Sequence, residues 1–211
     1  GLIRSPFLFV VLERLRGDRV KAGKYVFEEP VGLLRVEERV QDGAFGIVAS
    51  RVVFPEGSTA RDMGRILKSA FPDFDEDAFL AEAIPLEGYL FPDTYFFYPD
   101  VAPHDAVVRM YANFEDQIAS IQPQIDAFGR PLRDDLVMAS LLEKEARITA
   151  DRRMVAGVLW NRINKGMPLQ VDAVFGYIND RGTYSPSLAD LATESSYNTY
   201  LHAGLPPGPI G

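Results

Sequence analysis

A chain of 211 residues that is 47% hydrophobic and 25% charged can bury a core, and its composition excludes collagen-like or intrinsically disordered classes. Its net charge of −8, with no Lys/Arg run longer than Arg152-Arg153, argues against nucleic acid as a partner, because phosphate binding needs clustered cations. The absence of cysteine excludes thiol nucleophiles, disulfides and Cys-ligated metals, and with only His104 and His202 neither a histidine-based metal site nor a Ser-His triad is favoured. Nothing calls for a cofactor or a metal.

At roughly 100 to 200 residues per domain, the length suggests one large domain with a small companion. Ser5-Pro6, the apolar positions 7, 8, 11, 12 and 15, and Gly17 predict a first helix with a cap, a first-turn proline and a terminating glycine. The run from Phe7 to Leu12 is far short of the ~20 residues that span a bilayer, so an anchor would have to lie upstream of Gly1. Gly17 to Lys24 imitates a phosphate loop, but the glycines are one residue too far apart and Tyr25 stands where magnesium needs Ser or Thr. Lys24 to Glu28 then predicts a short strand, Leu33 to Asp42 a helix and Ile47 to Phe54 a second strand. After the Pro55-Glu56-Gly57 turn, Ser58-Thr59 should cap a helix with Met63, Ile66, Leu67 and Ala70 on one face.

The segment Ile84 to Pro99 sets Tyr89, Phe91, Tyr95, Phe96, Phe97 and Tyr98 around Glu87 and Asp93, which suits a groove wall or an irregular piece of core. Further helices are expected from a cap at Asp105 to Ile121, from Asp134 to Ala146, and from Asp151 to Lys165. The last carries a stripe of Met154, Val155, Val158, Leu159 and Ile163 and is stopped by Gly166 and Pro168. Leu169 to Tyr177 should run extended and then helical, before a tail rich in Pro and Gly. Helices alternating with short strands, without a regular strand-helix-strand series, predict the α+β class.

The chemically informative stretch is MASLLEKEAR, Met138 to Arg147, an apolar helix ending in two acids that flank a lysine. At ~100° per residue, Glu143 and Glu145 point in nearly opposite directions. Glu145 shares its face with Met138, Leu141 and Leu142, Glu143 with Leu136, Ala139 and Ser140, and Lys144 points elsewhere. A carboxyl held against apolar side chains resists ionisation and can donate a proton near neutrality, which is a general acid's requirement. Glu143 suits a supporting hydrogen bond. An ordinary glycosidase would need a second carboxylate, for which Glu87, Asp93 and Asp172 are available by composition.

Four segments carry a resemblance: MASLLEKEAR, LEGYLFPDTY (Leu86 to Tyr95), VAGVLWNRINKGMPLQVD (Val155 to Asp172) and YNTYLHAGLPPGPI (Tyr197 to Ile210). In this order they resemble the endolytic murein transglycosylases, the MltG or YceG-like family, and they cover most of Leu86 to Gly211. The resemblance implies a lyase that cleaves the β-1,4 bond between N-acetylmuramic acid and N-acetylglucosamine in peptidoglycan glycan strands, leaving a 1,6-anhydro end and limiting strand length. It places the catalytic acid at Glu145, with Glu143 as fallback. It makes Glu87, Asp93, Thr94, Tyr95, Glu143, Gln170, Asp172, Tyr197 and Asn198 the cleft lining, and it sets the Pro/Gly tail beside the cleft. It implies a partial LysM-like module over residues 1–46 and a catalytic domain over residues 47–211, with part of that domain and an inner-membrane anchor lying outside this chain. It also implies an extracytoplasmic location and peptidoglycan synthases as partners. A glycan-binding scaffold or a two-carboxylate hydrolase are the competing readings.

Overall fold

The computed structural model describes residues 21, 23, 25–27, 31–42, 46, 48–181 and 185–211. The chain divides into two compact units, Gly1–Ser50 and Arg51–Gly211. In the first, helix α1 (Leu33–Asp42) has the expected bounds and buries Val36, Glu37 and Val40. The helix expected over residues 5–17 lies outside the described residues. The strand expected over Lys24 to Glu28 is irregular in its described part, residues 25–27, where the Val26 carbonyl accepts from the Arg39 side chain.

The second unit is mixed α and β, rich in helix, with a two-stranded sheet of β1 (Ser50–Val53) and β2 (Thr94–Phe97). β1 is shorter than the eight residues expected. Helix α2 (Ala60–Ala70) begins where predicted, because Thr59 and Asp62 satisfy each other's backbone N–H groups in a capping box. Its Met63, Gly64 and Leu67 face inward. Helix α3 (Glu76–Ala83), capped by Asp75, was not legible in the sequence; in eight residues only Phe79 and Ala83 are buried, too few to make a pattern. A 3-10 turn (Ile84–Leu86) follows.

Helix α4 (Pro103–Ser120) starts two residues before the cap expected at Asp105, since Pro103 is preset for a first helical position and Asp105 falls in the first turn. A short α5 (Gln122–Phe128) ends at Gly129, whose φ of 73° is left-handed. Helix α6 (Leu132–Glu145) likewise begins early, after Pro131, leaving Asp134 and Asp135 in a first turn where acids favour the helix dipole. Helix α7 (Thr149–Asn164) buries only part of its expected stripe. Leu159 is buried and Val155 and Ile163 are partly so, whereas Met154 and Val158 are 66% and 55% exposed. The apolar set is two adjacent rows four residues apart, and one row alone faces the core. Gly166 ends α7 at a φ of 66°. Helices α8 (Val174–Ile178) and α9 (Leu188–Leu191) complete the unit.

Two apolar clusters hold this unit together. One joins β1, β2 and α2 to α4 through Val52, Phe54, Leu67, Phe79 and Met110. The other joins α6, α7 and the segments around 169–175 and 210 through Leu141, Leu159, Leu169, Phe175 and Ile210. Among the described residues no helix is long and apolar enough to cross a membrane.

Candidate active site

The last turn of α6, the first turns of α2 and the 172–181 segment enclose a cleft of about 490 Å³. Glu145 ends α6, since Ala146 turns extended, and its side chain opens into this cleft beside Asp172 and Ala173. Glu143, two residues earlier, forms a 2.7 Å ion pair with Arg152, and Arg152 also donates to the Ala146 carbonyl. Lys144 donates to the Gly57 carbonyl at 2.5 Å. Helical divergence therefore leaves Glu145 as the acid of the trio with access to the cleft and, among the described residues, without an ion pair.

Partial burial against the cleft wall, which strips water from the charged form, pushes the Glu145 carboxyl above its ordinary value; the Ala173 backbone N–H works against this and the neighbouring Asp172 charge adds to it. Glu145 is not sealed in apolar side chains as its helical face suggested. It is solvent-open at its tip, with Met138 and Leu141 buried beneath. Asp172 is held by Tyr200, whose hydroxyl donates at 2.5 Å. That bond is also the main cause that pushes the Tyr200 hydroxyl up to about 12.

The other residues singled out by sequence divide between cleft and support. Gln170 adopts a left-handed φ of 56°, with its backbone N–H given to the Thr199 carbonyl and its side-chain carbonyl accepting from Arg162. Backbone strain at a non-glycine position is common where a site demands a particular side-chain direction. Tyr197 packs against Tyr177 with ring centroids 4.9 Å apart, and Tyr177 lines the cleft. Asn198 is fully buried, donating to the Leu191 and Thr193 carbonyls and accepting from the Tyr200 N–H, so it folds the segment and does not face the cleft.

The 84–99 segment is core and sheet, not cleft wall: none of its residues lines the cleft. Strand alternation sends Tyr95 and Phe97 inward and Phe96 and Tyr98 outward. The Tyr95 hydroxyl donates to the Phe91 carbonyl, Asp93 accepts from the Thr94 N–H and from Asn113, and Thr94 opens β2. Glu87 is only 8% exposed and accepts from the Ala60 N–H at 3.0 Å, so it lies behind the wall. Burial pushes its carboxyl up to about 7, against the pull of the Ala60 N–H, the Tyr177 hydroxyl and Arg61.

The Pro/Gly tail does reach the site. Its Ile210 lines the cleft and donates its N–H to Ser140 Oγ at 3.0 Å, which ties the tail to α6. Gly88, at φ 80°, accepts Pro209 so closely that a Cβ would lie 2.4 Å from the proline ring. Sequence reasoning missed Arg61, Arg65, Tyr177, Asp180 and Tyr200. Arg65 and Asp180 pair at 2.6 Å across 115 residues, a separation at which no local pattern signals contact. Tyr200 had a signal, since it lies inside YNTYLHAGLPPGPI.

No group of three or more metal-ligating side chains exists among the described residues. The raised carboxyl of Glu145, the carboxylates of Asp62, Asp172 and Asp180, and the Tyr177 ring line one open cleft and define the class: an acid-bearing cleft on an α+β scaffold. The chain belongs to the YceG-like family, whose model matches residues 1–211. It is 38% identical over 147 residues to the endolytic murein transglycosylase of Bacillus subtilis, covering 68% of this chain and 41% of that protein. It is 27% identical over 252 residues to the endolytic murein transglycosylase of Streptococcus pneumoniae strain D39, covering 100% of this chain and 46% of that one. The chain thus spans less than half the length of either relative. A crystal structure of a YceG-like protein from Listeria monocytogenes superposes with a TM-score of 0.70 at 28% identity, over 99% of this chain and 78% of the other.

Proposed function

We propose that the chain is the cleft-bearing part of an endolytic murein transglycosylase, with Glu145 as its single acid and base. The observation that carries the reading is the position of Glu145: open to a cleft, raised in pKa and, among the described residues, without an ion pair. In the first step Glu145 gives its proton to the glycosidic oxygen as the bond to the muramyl C1 breaks. In the second the resulting carboxylate takes the proton of the muramyl C6 hydroxyl, whose oxygen closes on C1. Proton and bonds balance without water, so one carboxylate suffices. Asp172, oriented by Tyr200, adds to the upward push that burial gives the Glu145 carboxyl and faces the positive charge that develops at C1. Tyr177 borders the sugar path with Tyr197 packed behind it, and Gln170, held by Arg162, supports the segment that carries Asp172. Glu87, Asp93, Thr94, Tyr95, Glu143 and Asn198 act behind the wall by holding that geometry.

The activity for which the relatives are named supports murein as substrate. With it go an extracytoplasmic site of action, an inner-membrane anchor, nearby peptidoglycan synthases and a LysM-like module over residues 1–46, all part of the same proposal. The test is mass spectrometry of products from uncrosslinked glycan strands, comparing the protein with Glu145→Gln. Anhydro ends that vanish in the variant support the lyase, and intact glycan refutes it.

One observation favours a second reading. Asp172 lines the same cleft as Glu145, as a two-carboxylate hydrolase requires. Reducing ends in place of anhydro ends would select it.

A further inference from the structure

The cleft is lined by four cations, Arg61, Arg65, Lys144 and Arg181. Arg65 is engaged at two points by Asp180, at 2.6 and 3.3 Å, and approaches Asp62 at 3.5 Å. Lys144 is engaged by the Gly57 carbonyl, and Arg181 also has an interaction within the chain. Arg61 differs. It is partly buried near the start of α2, its guanidinium carbon 6.0 Å from the centre of the Tyr177 ring. Among the described residues it donates no hydrogen bond and forms no ion pair. The nearest acid in sequence, Asp62, is occupied by the Thr59 backbone and hydroxyl and by Arg65.

A guanidinium carries five N–H donors in a planar fork, and partial burial makes leaving them without acceptors costly. The Tyr177 ring lies within cation–π range of the fork, and both side chains line the cleft. A planar fork matches a carboxylate, which accepts two parallel hydrogen bonds, better than a sugar hydroxyl, which accepts one. The molecule as a whole carries −8 and repels a polyanionic strand, so admission of one needs local positive charge. In a murein strand the carboxylates hang from the muramyl 3-O substituent, either as the free lactyl acid or within the attached peptide.

We propose that Arg61 is a specificity-determining residue which binds a carboxylate on the muramyl 3-O substituent, so that the cleft prefers murein to an uncharged polymer of β-1,4-linked N-acetylglucosamine. This rests on the glycan reading above and adds to it the feature of the glycan that is recognised. Tyr177 is the partner that holds Arg61 in place. Arg65, locked to Asp180, frames the site without contributing a free fork.

The test is equilibrium binding, in a Glu145→Gln background that prevents turnover. Three tetrasaccharides serve as probes: an N-acetylglucosamine tetramer, a murein tetrasaccharide stripped to its lactyl acids, and the same with peptides attached. At least one murein probe should bind about tenfold more tightly than the tetramer, the gain a charged hydrogen-bonded pair supplies. Which probe gains identifies the source of the carboxylate. Arg61→Gln, planar and neutral, and Arg61→Ala should erase the gain and leave tetramer affinity unchanged, whereas Arg61→Lys should retain part of it. Equal affinity for all three probes, binding of none, or a gain that survives Arg61→Gln would overturn the assignment, as would an equal loss on all three probes. Because no cleavage is read, a failure of the lyase chemistry would show as missing anhydro ends in the separate product assay and leave this binding order to be judged by itself.

Discussion

The two apolar clusters of the 51–211 unit are built on different plans. The cluster around Leu67, Phe79 and Met110 draws on elements consecutive in the chain, from β1 to α4, and is closed by aromatic contacts such as Phe54 with Tyr95 and Phe74 with Phe79. The cluster around Leu141, Phe175 and Ile210 draws on segments far apart and is laced with buried polar ties: Thr199 to Val171, Ser140 to Ile210, and Asn198 to its carbonyls. The first cluster sends the N-terminal turn of α2 to the cleft. The second sends Glu145, Asp172 and Tyr177. Apolar packing is enough to hold a wall, whereas fixing the direction of a carboxylate takes hydrogen bonds.

Substitutions that separate these plans should differ in what they cost. The largest effect is expected from Glu145→Gln, a fall in turnover by a factor of roughly 10²–10⁴ with an unchanged unfolding curve, read in the glycan product assay. Next is Glu87, the buried acid of the first cluster. Its folded value of about 7 lies above the ordinary 4.5, so the native state binds more protons than the unfolded chain in that window. Its contribution is therefore intact below pH 4.5 and is lost as pH rises through 7, by about 3 kcal/mol. Urea unfolding at a series of pH values should show wild type losing that much relative to Glu87→Gln, whose amide stays neutral. Parallel pH curves for the two proteins would show that Glu87 is not held protonated.

In the second cluster, Asn198→Ala should cost roughly 2–3 kcal/mol in the same measurement, because it strands two carbonyls and an N–H in the interior. Asp172→Asn acts on the pH profile. The proton on Glu145 is needed for the first step, so activity falls as pH rises through its value. Removing the Asp172 charge lowers that value and should move the basic limb to lower pH. The smallest effect belongs to Glu143→Gln. Its pair with Arg152 is about 30% exposed on each side, so stability should fall by about 0.5–1 kcal/mol and turnover by less than tenfold. A loss matching that of Glu145→Gln would reverse the division of labour between the two acids.

The same contrast governs how much was legible in the sequence. In the first cluster the cap at Thr59 follows from local chemistry and was read correctly, and of the expected face of α2 Met63 and Leu67 are buried and Ile66 partly so, while Ala70, the last residue of the helix, is exposed. The exception was α3, too short to show a period. Around the second cluster, α6 was read to within two residues at its start and the divergence of Glu143 from Glu145 followed from helical geometry, but the engagement of Glu143 by Arg152 did not. Asp172 was named from the resemblance, yet its partner Tyr200, 28 residues away, was not, since a hydrogen bond between distant loops leaves no periodic trace. Glu87 and Tyr95 were assigned to the cleft from the resemblance. The structure turns both inward, one onto the start of α2 and the other into the sheet core.

The bond from the Ile210 N–H to Ser140 Oγ also has a temporal meaning. It joins residues 70 apart, and it delivers to the cleft a side chain that comes after every other lining residue in the chain. Closing so long a loop loses entropy before any contact repays it, so this contact should form late in folding. A growing chain on the ribosome therefore carries α6 and its acid well before it carries a finished cleft.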